Sequence, residues 1–393
     1  MRRSELSSRL HELEHTGLMR RRRQVEGPQG PHRRVDGTDV LAFCSNDYLG
    51  LAAHPALAEA VRQALHQFGV GAGASAHICG HTIVHEALEE RLARFVGLPR
   101  ALHFSTGYMA NLGVIPSLAG PGDVIFSDRL NHASLIDGAR LSRAEVIVYP
   151  HRDVEALDLL MYKSAQRSKM VVTDAVFSMD GDLAPLPQLL TLCEHHDAWL
   201  VVDDAHGFGV LGQSGGGALS HWGVKSQRLV YIGTMGKAAG VFGAFAAADS
   251  DVIEWILQKA RTYMFTTASP PILAAALLAA LDVIESESWR RSHLTALIER
   301  ISSGLTGLRW PLLPSSTPIQ ALVIGDNSEA VSLMESLRRN GLWVPAIRPP
   351  TVPTGTARLR ISLSAAHSEQ DVDRLLTALA QLARRGHPSG KST

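Results

Sequence analysis

The sequence predicts an α/β fold: a large domain with a mainly parallel central sheet, followed by a smaller C-terminal α+β domain. Short apolar runs alternate with helical patterns from about residue 101. Several of these runs carry β-branched residues at consecutive positions, which is typical of strands buried on both faces. The pattern changes near residue 250, where longer helical stretches begin. Alternation of strands and helices indicates a parallel sheet covered by helices.

The elements of the large domain follow in chain order. Residues 1–24 resemble a helix of mixed charge that ends in four arginines, and a Gly/Pro-rich turn over 27–31 precedes a core that begins near Leu41. We therefore assign residues 1–40 to an N-terminal helix and segment, and 41–285 to the large domain. Its predicted strands lie in the runs ALHFS, DVIFSD, AEVIVYP, KMVVTDAVF, AWLVVDDAHG and RLVYIGTMG.

The last hundred residues predict the smaller domain, over residues 286–385. A long helical region over 274–308 leads into it. A strand in PIQALVIGD, a helix from Ser328, strands in LWVPAI and ARLRISLSA, and a final helix over about 368–385 follow. Residues 386–393 are expected to form a loose tail.

Composition narrows the classes of function. The formal net charge is zero, so no global field attracts nucleic acid or a membrane surface. The N-terminus lacks the apolar stretch of a secretory signal, and the most apolar segment, Pro271 to Ile284, is too short to cross a bilayer. Cys44, Cys79 and Cys193 are odd in number and lack a metal-type spacing. We expect a soluble cytoplasmic protein.

Polar residues that end the predicted strands are the first candidates for a site, because ligands of open α/β sheets bind at the carboxyl ends of the strands. A lysine there can be desolvated, which lowers its pKa and lets the amine condense with an aldehyde; Lys237 fits this role. A buried carboxylate such as Asp203 can keep a pyridine nitrogen protonated. Thr234 and the strand-to-helix turn 105–108 could bind a phosphate.

Each of these residues alone has an ordinary interpretation. A lysine in a glycine-flanked loop is usually solvated, an aspartate at a strand end is often a cap, and a lone histidine is usually structural. Their joint occurrence in this chain order is what favours chemistry.

Five segments together resemble the α-oxoamine synthases, a branch of the fold-type I pyridoxal-phosphate enzymes with the aspartate-aminotransferase-like fold. The segments are FCSNDYLG at 43–50, STGYMAN at 105–111, FSMDGD at 177–182, DDAHG at 203–207 and TMGK at 234–237. The resemblance covers nearly the whole chain. Cys44, Cys79 and Ala239 depart from the usual residues, but all three changes are small and neutral.

The resemblance implies pyridoxal 5′-phosphate as cofactor and assigns catalytic roles to Lys237, Asp203, His132 and His206. Lys237 would form the Schiff base, Asp203 would pair with the pyridinium nitrogen, and His132 would stack on the ring. The implied cofactor-binding residues are Gly107, Tyr108, His132, Ser178, Asp203, His206, Thr234 and Lys237, together with Thr266 or Thr267 from the other subunit of a homodimer with shared active sites. The implied substrate-binding residues are Arg20, Asn46, His132, Thr351 and Arg360.

Within the family, the stretch AIRPPTVP at 346–353 followed by GTARLR at 355–360 favours one substrate pair. It resembles the members that join L-alanine to a pimeloyl thioester, with loss of CO₂ and of the thiol. In that case Arg360 would anchor the amino-acid carboxylate, and Arg20 and Thr351 would contact the acyl group. The thiol carrier, coenzyme A or an acyl carrier protein, is left open. Another α-oxoamine synthase, such as glycine C-acetyltransferase, is the alternative.

Other classes of function fit less well. Ser214 lies in a G-x-S-x-G pattern, but the glycine-rich residues around it predict a loop rather than the strand and helix of a hydrolase elbow. Gly236-Lys237 lacks the other residues of a phosphate-binding P-loop. His77, His81 and His85 have helical spacing, but Gly80 interrupts them and no fixed carboxylate partner is evident, so we expect no metal. A non-enzymatic binding module would give no reason for Lys237 and Asp203 to occur together.

Overall fold

Seven strands form the central sheet in the computed structural model, which describes residues 2–15, 19, 22–166 and 168–385. The order across the sheet is β4-β10-β9-β8-β7-β5-β6. These strands are β4 (Arg100–Phe104), β5 (Val124–Asp128), β6 (Glu145–Tyr149), β7 (Lys169–Asp174), β8 (Ala198–Asp203), β9 (Leu229–Thr234) and β10 (Ala244–Ala248). The α/β fold class is confirmed.

The strands from β6 to β9 pair in parallel, and β10 runs antiparallel to both β9 and β4. The sequence AFAAA of β10 was not predicted as a strand. Alanine has a low strand propensity, and only its position between two strands makes this segment extended. Because both faces of the sheet are covered, β8 and β9 are buried along almost their whole length.

The helices of the large domain pack on the two faces of the sheet, where they bury two apolar clusters. They are α2 (Pro55–Phe68), α3 (Ile83–Val96), α4 (Gly107–Leu118), α5 (Ala133–Ser142), α6 (Val154–Lys163), α7 (Leu186–His195), α8 (Ala218–Trp222), α9 (Ser250–Lys259), α10 (Arg261–Met264) and α11 (Pro271–Ser286). Helix α4 begins directly after β4, and α5 begins shortly after β5. Both N-termini therefore face the carboxyl edge of the sheet.

The N-terminal segment contains α1 (Arg3–His15) and the strands β1 (Val25–Glu26), β2 (His32–Val35) and β3 (Thr38–Ala42). The helix ends well before residue 24, the predicted end. The predicted acyl-substrate contact Arg20 and the tail 386–393 lie outside the described residues. Within the ranges given above, no helix is both long enough and apolar enough to cross a bilayer.

The C-terminal part consists of β11 (Ile319–Gly325), β12 (Leu342–Trp343), β13 (Ala346–Ile347), β14 (Ala357–Ser362), α12 (Trp289–Leu305), α13 (Asn327–Arg339) and α14 (Glu369–Arg385). The single strand predicted in LWVPAI is wrong: Pro345 has no N–H to donate, and the chain forms two short strands in different sheets. β12 pairs with β3, whereas β13 pairs with β14.

The predicted continuous helix over 274–308 is broken between Ser286 and Trp289. Helix α11 packs on α2 and α3, and α12 packs on α14. The break allows α11 and α12 to pack against different helices. The boundary that we predict near residue 285 lies at the end of α11 and stays a prediction.

Candidate active site

Lys237 follows β9 in a tight turn. Gly240 has a φ of +72°, and a Cβ there would collide with the backbone of Leu51 and Ala52, so only glycine allows this close approach. The Lys237 amine lies 2.8 Å from Nε2 of His206. Lys237 keeps part of its surface exposed. Burial of the amine nevertheless disfavours its charged form and lowers the pKa of Lys237 to about 8.

His206 connects Lys237 to two further side chains. Its Nδ1 lies 2.6 Å from the Tyr48 hydroxyl, which in turn lies 3.1 Å from Oδ1 of Asn46. Both Tyr48 and His206 are buried. Burial, together with the positive charge of Lys237, lowers the pKa of His206 well below its usual value, so its ring is neutral.

Asp203 ends β8 and Asp204 directly follows it. Their side chains point in opposite directions, as those of successive residues of a strand do. Asp203 Oδ2 accepts a hydrogen bond from the Asn111 amide at 2.6 Å, on the side of α4. Asp204 Oδ2 instead accepts from the Ala218 N–H at 2.6 Å and from the Tyr231 hydroxyl at 2.9 Å. Burial raises the pKa of Asp204 to about 7. Asp204 therefore anchors the start of α8, and Asp203 faces Lys237.

His132 is the N-cap residue of α5 and its side chain is exposed. Its Nδ1 lies 2.7 Å from the Ser134 hydroxyl, and its backbone N–H donates to Asp174 Oδ2 at 2.6 Å. Asp174 lies opposite Asp203 in the β7–β8 pairing. Burial, reinforced by the Asp203 charge, raises the pKa of Asp174 well above its usual value.

The turn before α4 approaches Thr234 closely. A Cβ added to Gly107 would lie 3.7 Å from the Thr234 hydroxyl oxygen, so a glycine leaves this space open. Thr106 caps the helix by accepting the Met109 N–H at 3.1 Å. Tyr108 is exposed, and its hydroxyl donates to Asp137 on α5. Free N–H groups at a helix N-terminus and a nearby hydroxyl suit a phosphate.

The loop over 177–182 joins the large domain to the C-terminal sheet. Arg360 Nε donates to the carbonyl oxygen of Ser178 at 2.6 Å, and Arg358 forms an ion pair with Asp180. Both Nη atoms of Arg360 also lie 3.3 Å from Asn46 Oδ1. The geometry thus brings Ser178, Asn46 and Arg360 together on the side of the site that holds Tyr48 and His206.

Thr351 is exposed and lines a cleft of about 710 Å³ beside this loop. The cleft has apolar and polar walls, which include Leu130, Ile136, Phe177, Val352, Arg129 and Arg358. Arg129 was not among the predicted residues, although it lies only three positions before His132.

Thr266 and Thr267 do not join the phosphate turn directly within one chain. Thr267 forms an isolated bridge with Ser75, and both threonines line a small pocket that Ser105 also borders.

Tyr48, Asn111, Ser134 and Asp174 were not among the predicted site residues, although Tyr48 and Asn111 stand in the five quoted segments. Each one holds a predicted residue in place. A signal existed for Asn111 alone, because it lies four residues after Gly107 and so on the same face of α4.

The alternative sites look different in three dimensions. Ser214 is exposed in the loop that precedes α8, and no strand leads into it. The expectation that His81 lacks a carboxylate partner was wrong: Glu86 lies 2.9 Å from its Nε2. His85 Nε2 lies 2.9 Å from the carbonyl oxygen of Ser269.

The residues present fit pyridoxal phosphate. A lysine amine of lowered pKa, a buried carboxylate held by Asn111, an exposed imidazole and an open cradle between Gly107 and Thr234 occupy one edge of the sheet. These are the partners that the aldehyde, the ring nitrogen, the ring face and the phosphate require.

Comparison with known proteins gives the same class. The family model "Aminotransferase class I and II" matches residues 38–379. The chain is 60% identical over 377 residues to the 8-amino-7-oxononanoate synthase of Aromatoleum aromaticum, covering 96% of this chain and 98% of that protein. It is 59% identical to the enzyme of the same name from an Azoarcus species, covering 97% of this chain and 98% of that one.

Two solved structures are also similar. Serine palmitoyltransferase from S. paucimobilis, with bound PLP, superposes with a TM-score of 0.90 at 30% identity, covering 97% of each chain. The 8-amino-7-oxononanoate synthase of Francisella tularensis superposes with a TM-score of 0.77 at 29% identity, covering 88% of this chain and 98% of that one.

Proposed function

The chain belongs to the class I and II aminotransferase family, and from this membership we propose that it catalyses the 8-amino-7-oxononanoate synthase reaction of biotin biosynthesis. In that reaction L-alanine condenses with a pimeloyl thioester to give 8-amino-7-oxononanoate, CO₂ and free thiol. The similarity at 60% identity over almost the whole of both chains supports this substrate pair. The cofactor is pyridoxal 5′-phosphate.

One observation carries the assignment of the site: the Lys237 amine, with a pKa lowered to about 8, lies 2.8 Å from the neutral ring of His206. An amine of this kind has a substantial neutral fraction near neutral pH and can act as nucleophile and then as base. When bound, the cofactor withdraws electrons from the amino-acid Cα, which acidifies the Cα–H bond.

The protein's own residues position and move protons around that carbon. Lys237 would hold the cofactor aldehyde, and its amine is the base that would remove the Cα proton of alanine. Asp203, fixed by the Asn111 amide at 2.6 Å, would hold a proton on the ring nitrogen. His132, whose orientation is set by Ser134 at 2.7 Å, would cover the ring face. Gly107 and Thr234, with Tyr108 beside them, would hold the phosphate.

Arg360 is the proposed anchor for the alanine carboxylate. Its guanidinium is buried and held by the Ser178 carbonyl, and its two Nη atoms face Asn46. A planar guanidinium can bind a carboxylate through two parallel hydrogen bonds. Ser178 and His206 are proposed to lie near the 3-oxygen of the cofactor ring.

The cleft that Thr351 lines is the proposed site of the acyl donor. Its apolar walls suit a seven-carbon chain, and its volume of about 710 Å³ lies within the range of small-molecule sites. Arg20 remains a proposed contact from outside the described residues. The carrier thiol belongs to coenzyme A or an acyl carrier protein.

A homodimer with shared active sites completes the proposal, in which Thr266 or Thr267 reaches the cofactor phosphate of the other subunit. A cytoplasmic location is also proposed. It is supported by the three cysteines, which are all unpaired.

The substrate pair is tested by the ratio of kcat/KM values, because that ratio reports differential stabilisation of the two transition states. We expect alanine with pimeloyl thioester to exceed glycine with acetyl thioester by at least about 100-fold, since several methylene groups are at stake. Product identity is checked by mass. A preference for glycine and acetyl thioester would mean that the chain catalyses a different reaction of the same family. The absence of any condensation would refute the proposed function.

A further inference from the structure

Four side chains form a continuous hydrogen-bonded chain that ends at the Lys237 amine. Lys237 Nζ lies 2.8 Å from His206 Nε2, His206 Nδ1 lies 2.6 Å from Tyr48 Oη, and Tyr48 Oη lies 3.1 Å from Asn46 Oδ1. Arg360 meets the same Asn46 oxygen with both Nη atoms at 3.3 Å. The chain therefore connects the carboxylate anchor of the proposed function with its amine.

The direction of each bond follows from the groups at its two ends. A guanidinium only donates, so the atom of Asn46 that faces Arg360 is its oxygen. That oxygen only accepts, so in the 3.1 Å hydrogen bond between Tyr48 and Asn46 the tyrosine donates its single proton. The hydroxyl then has only lone pairs to offer to His206, so Nδ1 carries the proton of the neutral ring. Nε2 is left without one and accepts from Lys237.

We propose that Tyr48 is a positioning residue: its hydroxyl fixes the tautomer of His206, so that Nε2 is a hydrogen-bond acceptor aimed at the Lys237 amine. Tyr48 is fully buried and its ring lies 5.9 Å from the His206 ring, tilted by 51°. This inference rests on the proposed function only in giving Lys237 a chemical role.

The charges around His206 favour a neutral ring, one nitrogen of which accepts a hydrogen bond. Lys237, Arg360 and His132 all act on its ring electrostatically, and each disfavours a second proton there. The ring thus stays neutral, and a neutral ring has one acceptor nitrogen. Tyr48 decides which of the two nitrogens it is.

Removing the Tyr48 hydroxyl should lower the pKa of Lys237. In Tyr48→Phe the proton on Nδ1 loses its acceptor. Either the His206–Lys237 bond weakens, or the proton moves to Nε2 and faces the amine. Both outcomes favour the neutral amine, and the loss of one hydrogen bond corresponds to a fall of about 0.4–1 pH unit in the midpoint.

The experiment measures the midpoint by competitive acetylation of the full chain over a pH series, with the Lys237 peptide quantified by mass spectrometry. It is done before cofactor is added. The pH dependence of the Schiff-base absorbance in the loaded protein is a second readout. Tyr149→Phe is the matched control, because Tyr149 is equally buried but lies on β6 at the edge of the sheet.

A double-mutant cycle separates positioning from a general effect on the fold. If Tyr48 acts through His206, Tyr48→Phe changes the Lys237 midpoint in the wild type but not in the His206→Ala background. An equal fall in both backgrounds, or no fall in the wild type, overturns the proposal. If Tyr48→Phe does not fold, fluorotyrosine at position 48 is used instead, because it keeps the ring and makes the hydroxyl oxygen a weaker hydrogen-bond acceptor. The Lys237 midpoint must then fall by a smaller amount. An unchanged midpoint overturns the proposal.

Failure of the proposed function would look different. If Lys237 shows the lowered midpoint and the Tyr48 dependence but borohydride reduction labels another lysine, the hydrogen-bonded chain stands and the cofactor assignment falls. If the titration midpoint of Lys237 in the wild type had the usual value for a lysine, both the role of the hydrogen-bonded chain and the proposed role of Lys237 would be contradicted.

Discussion

Asp203 and Asp204 are adjacent and chemically identical, but their side chains contact different parts of the protein. Asp203 is fixed by Asn111 and faces Lys237, whereas Asp204 binds Ala218 and Tyr231 on the other face of the sheet. Their burial is similar. The direction of the side chain alone makes one a proposed partner of the cofactor and the other an anchor of α8.

Asp203→Asn tests this division. The change is isosteric and keeps an oxygen for the Asn111 amide, so we expect the fold to survive. A neutral amide cannot hold a proton on the ring nitrogen, and kcat should fall by about 100-fold or more. Steady-state kinetics with saturating cofactor give the measurement.

The matched control is Asp204→Asn, which should keep most of the turnover and change thermal stability instead. Near-normal turnover in Asp203→Asn, with a large loss in Asp204→Asn, would reverse the assignment.

At the same scale, the sequence indicated the residues that are proposed to touch ligands, but not the residues that hold them in place. Asp203 ends β8 and Lys237 follows the end of β9, and a strand end is a local signal. Tyr48 is 158 positions from His206, Asn111 is 92 from Asp203, and Asp174 is 42 from His132. Such partners become neighbours only when the sheet is assembled, so no local pattern identifies them.

At the scale of elements, the loop over 177–182 is held by a histidine between two carboxylates. His151 Nδ1 lies 2.9 Å from Asp128 at the end of β5, and its Nε2 lies 2.9 Å from Asp182 in the loop. Although burial opposes the charge, the two carboxylates raise the pKa of His151 to about 9. The loop, fixed in this way, places the Ser178 carbonyl oxygen within hydrogen-bond distance of Arg360.

This pair of contacts predicts a pH-dependent stability. A histidine with a raised folded-state pKa stabilises the fold fully below its unfolded value of 6.5, and that contribution disappears as the pH rises through about 9. The difference in free energy of unfolding between wild type and His151→Gln should therefore be larger at pH 6 than at pH 10, by up to about 3 kcal/mol. Urea denaturation at both pH values measures it.

His196→Gln is the comparison, because His196 contacts the single, half-exposed carboxylate of Asp158. Its effect on stability should be small, because a contact with an exposed carboxylate contributes little. A difference for His151→Gln that is the same at pH 6 and pH 10 would contradict a charged His151.

Some strands and helices have a strong apolar sequence pattern, and others have none. The parallel strands β5 to β9 have apolar runs that need no partner to be recognised. β10, with the sequence AFAAA, has no such pattern and is a strand because β4 and β9 lie on both sides of it. The helix break after Ser286 is equally non-local, since it reflects packing on α2 and on α14.

For the whole molecule, the positions of Thr266 and Thr267 favour a site that two chains complete. Thr267 pairs with Ser75, and its side chain is exposed. Thr266 and Thr267 border a pocket with Ser105 but do not reach Gly107 and Thr234 as a set. In the proposed dimer, Thr266 or Thr267 contacts the cofactor phosphate of the neighbouring subunit.

Complementation between inactive chains tests this arrangement. Lys237→Ala chains are mixed with chains that carry Thr266→Ala and Thr267→Ala, and subunit exchange is verified by mass. Half of the dimers are then mixed and each has one sound site, so roughly a quarter of wild-type activity should return. No recovery despite exchange would mean that each site is complete within its own chain.

The alternation at the end of β8 also bears on how the gene can vary. Substitutions change one side chain, but a single inserted or deleted codon within β8 would rotate every following residue of the strand to the opposite face. Asp204 would then point toward Lys237, and Asp203 toward α8. Length polymorphism should accordingly be confined to connections such as the segment between α6 and β7, whereas a reading-frame-preserving indel in β8 should behave as a null allele.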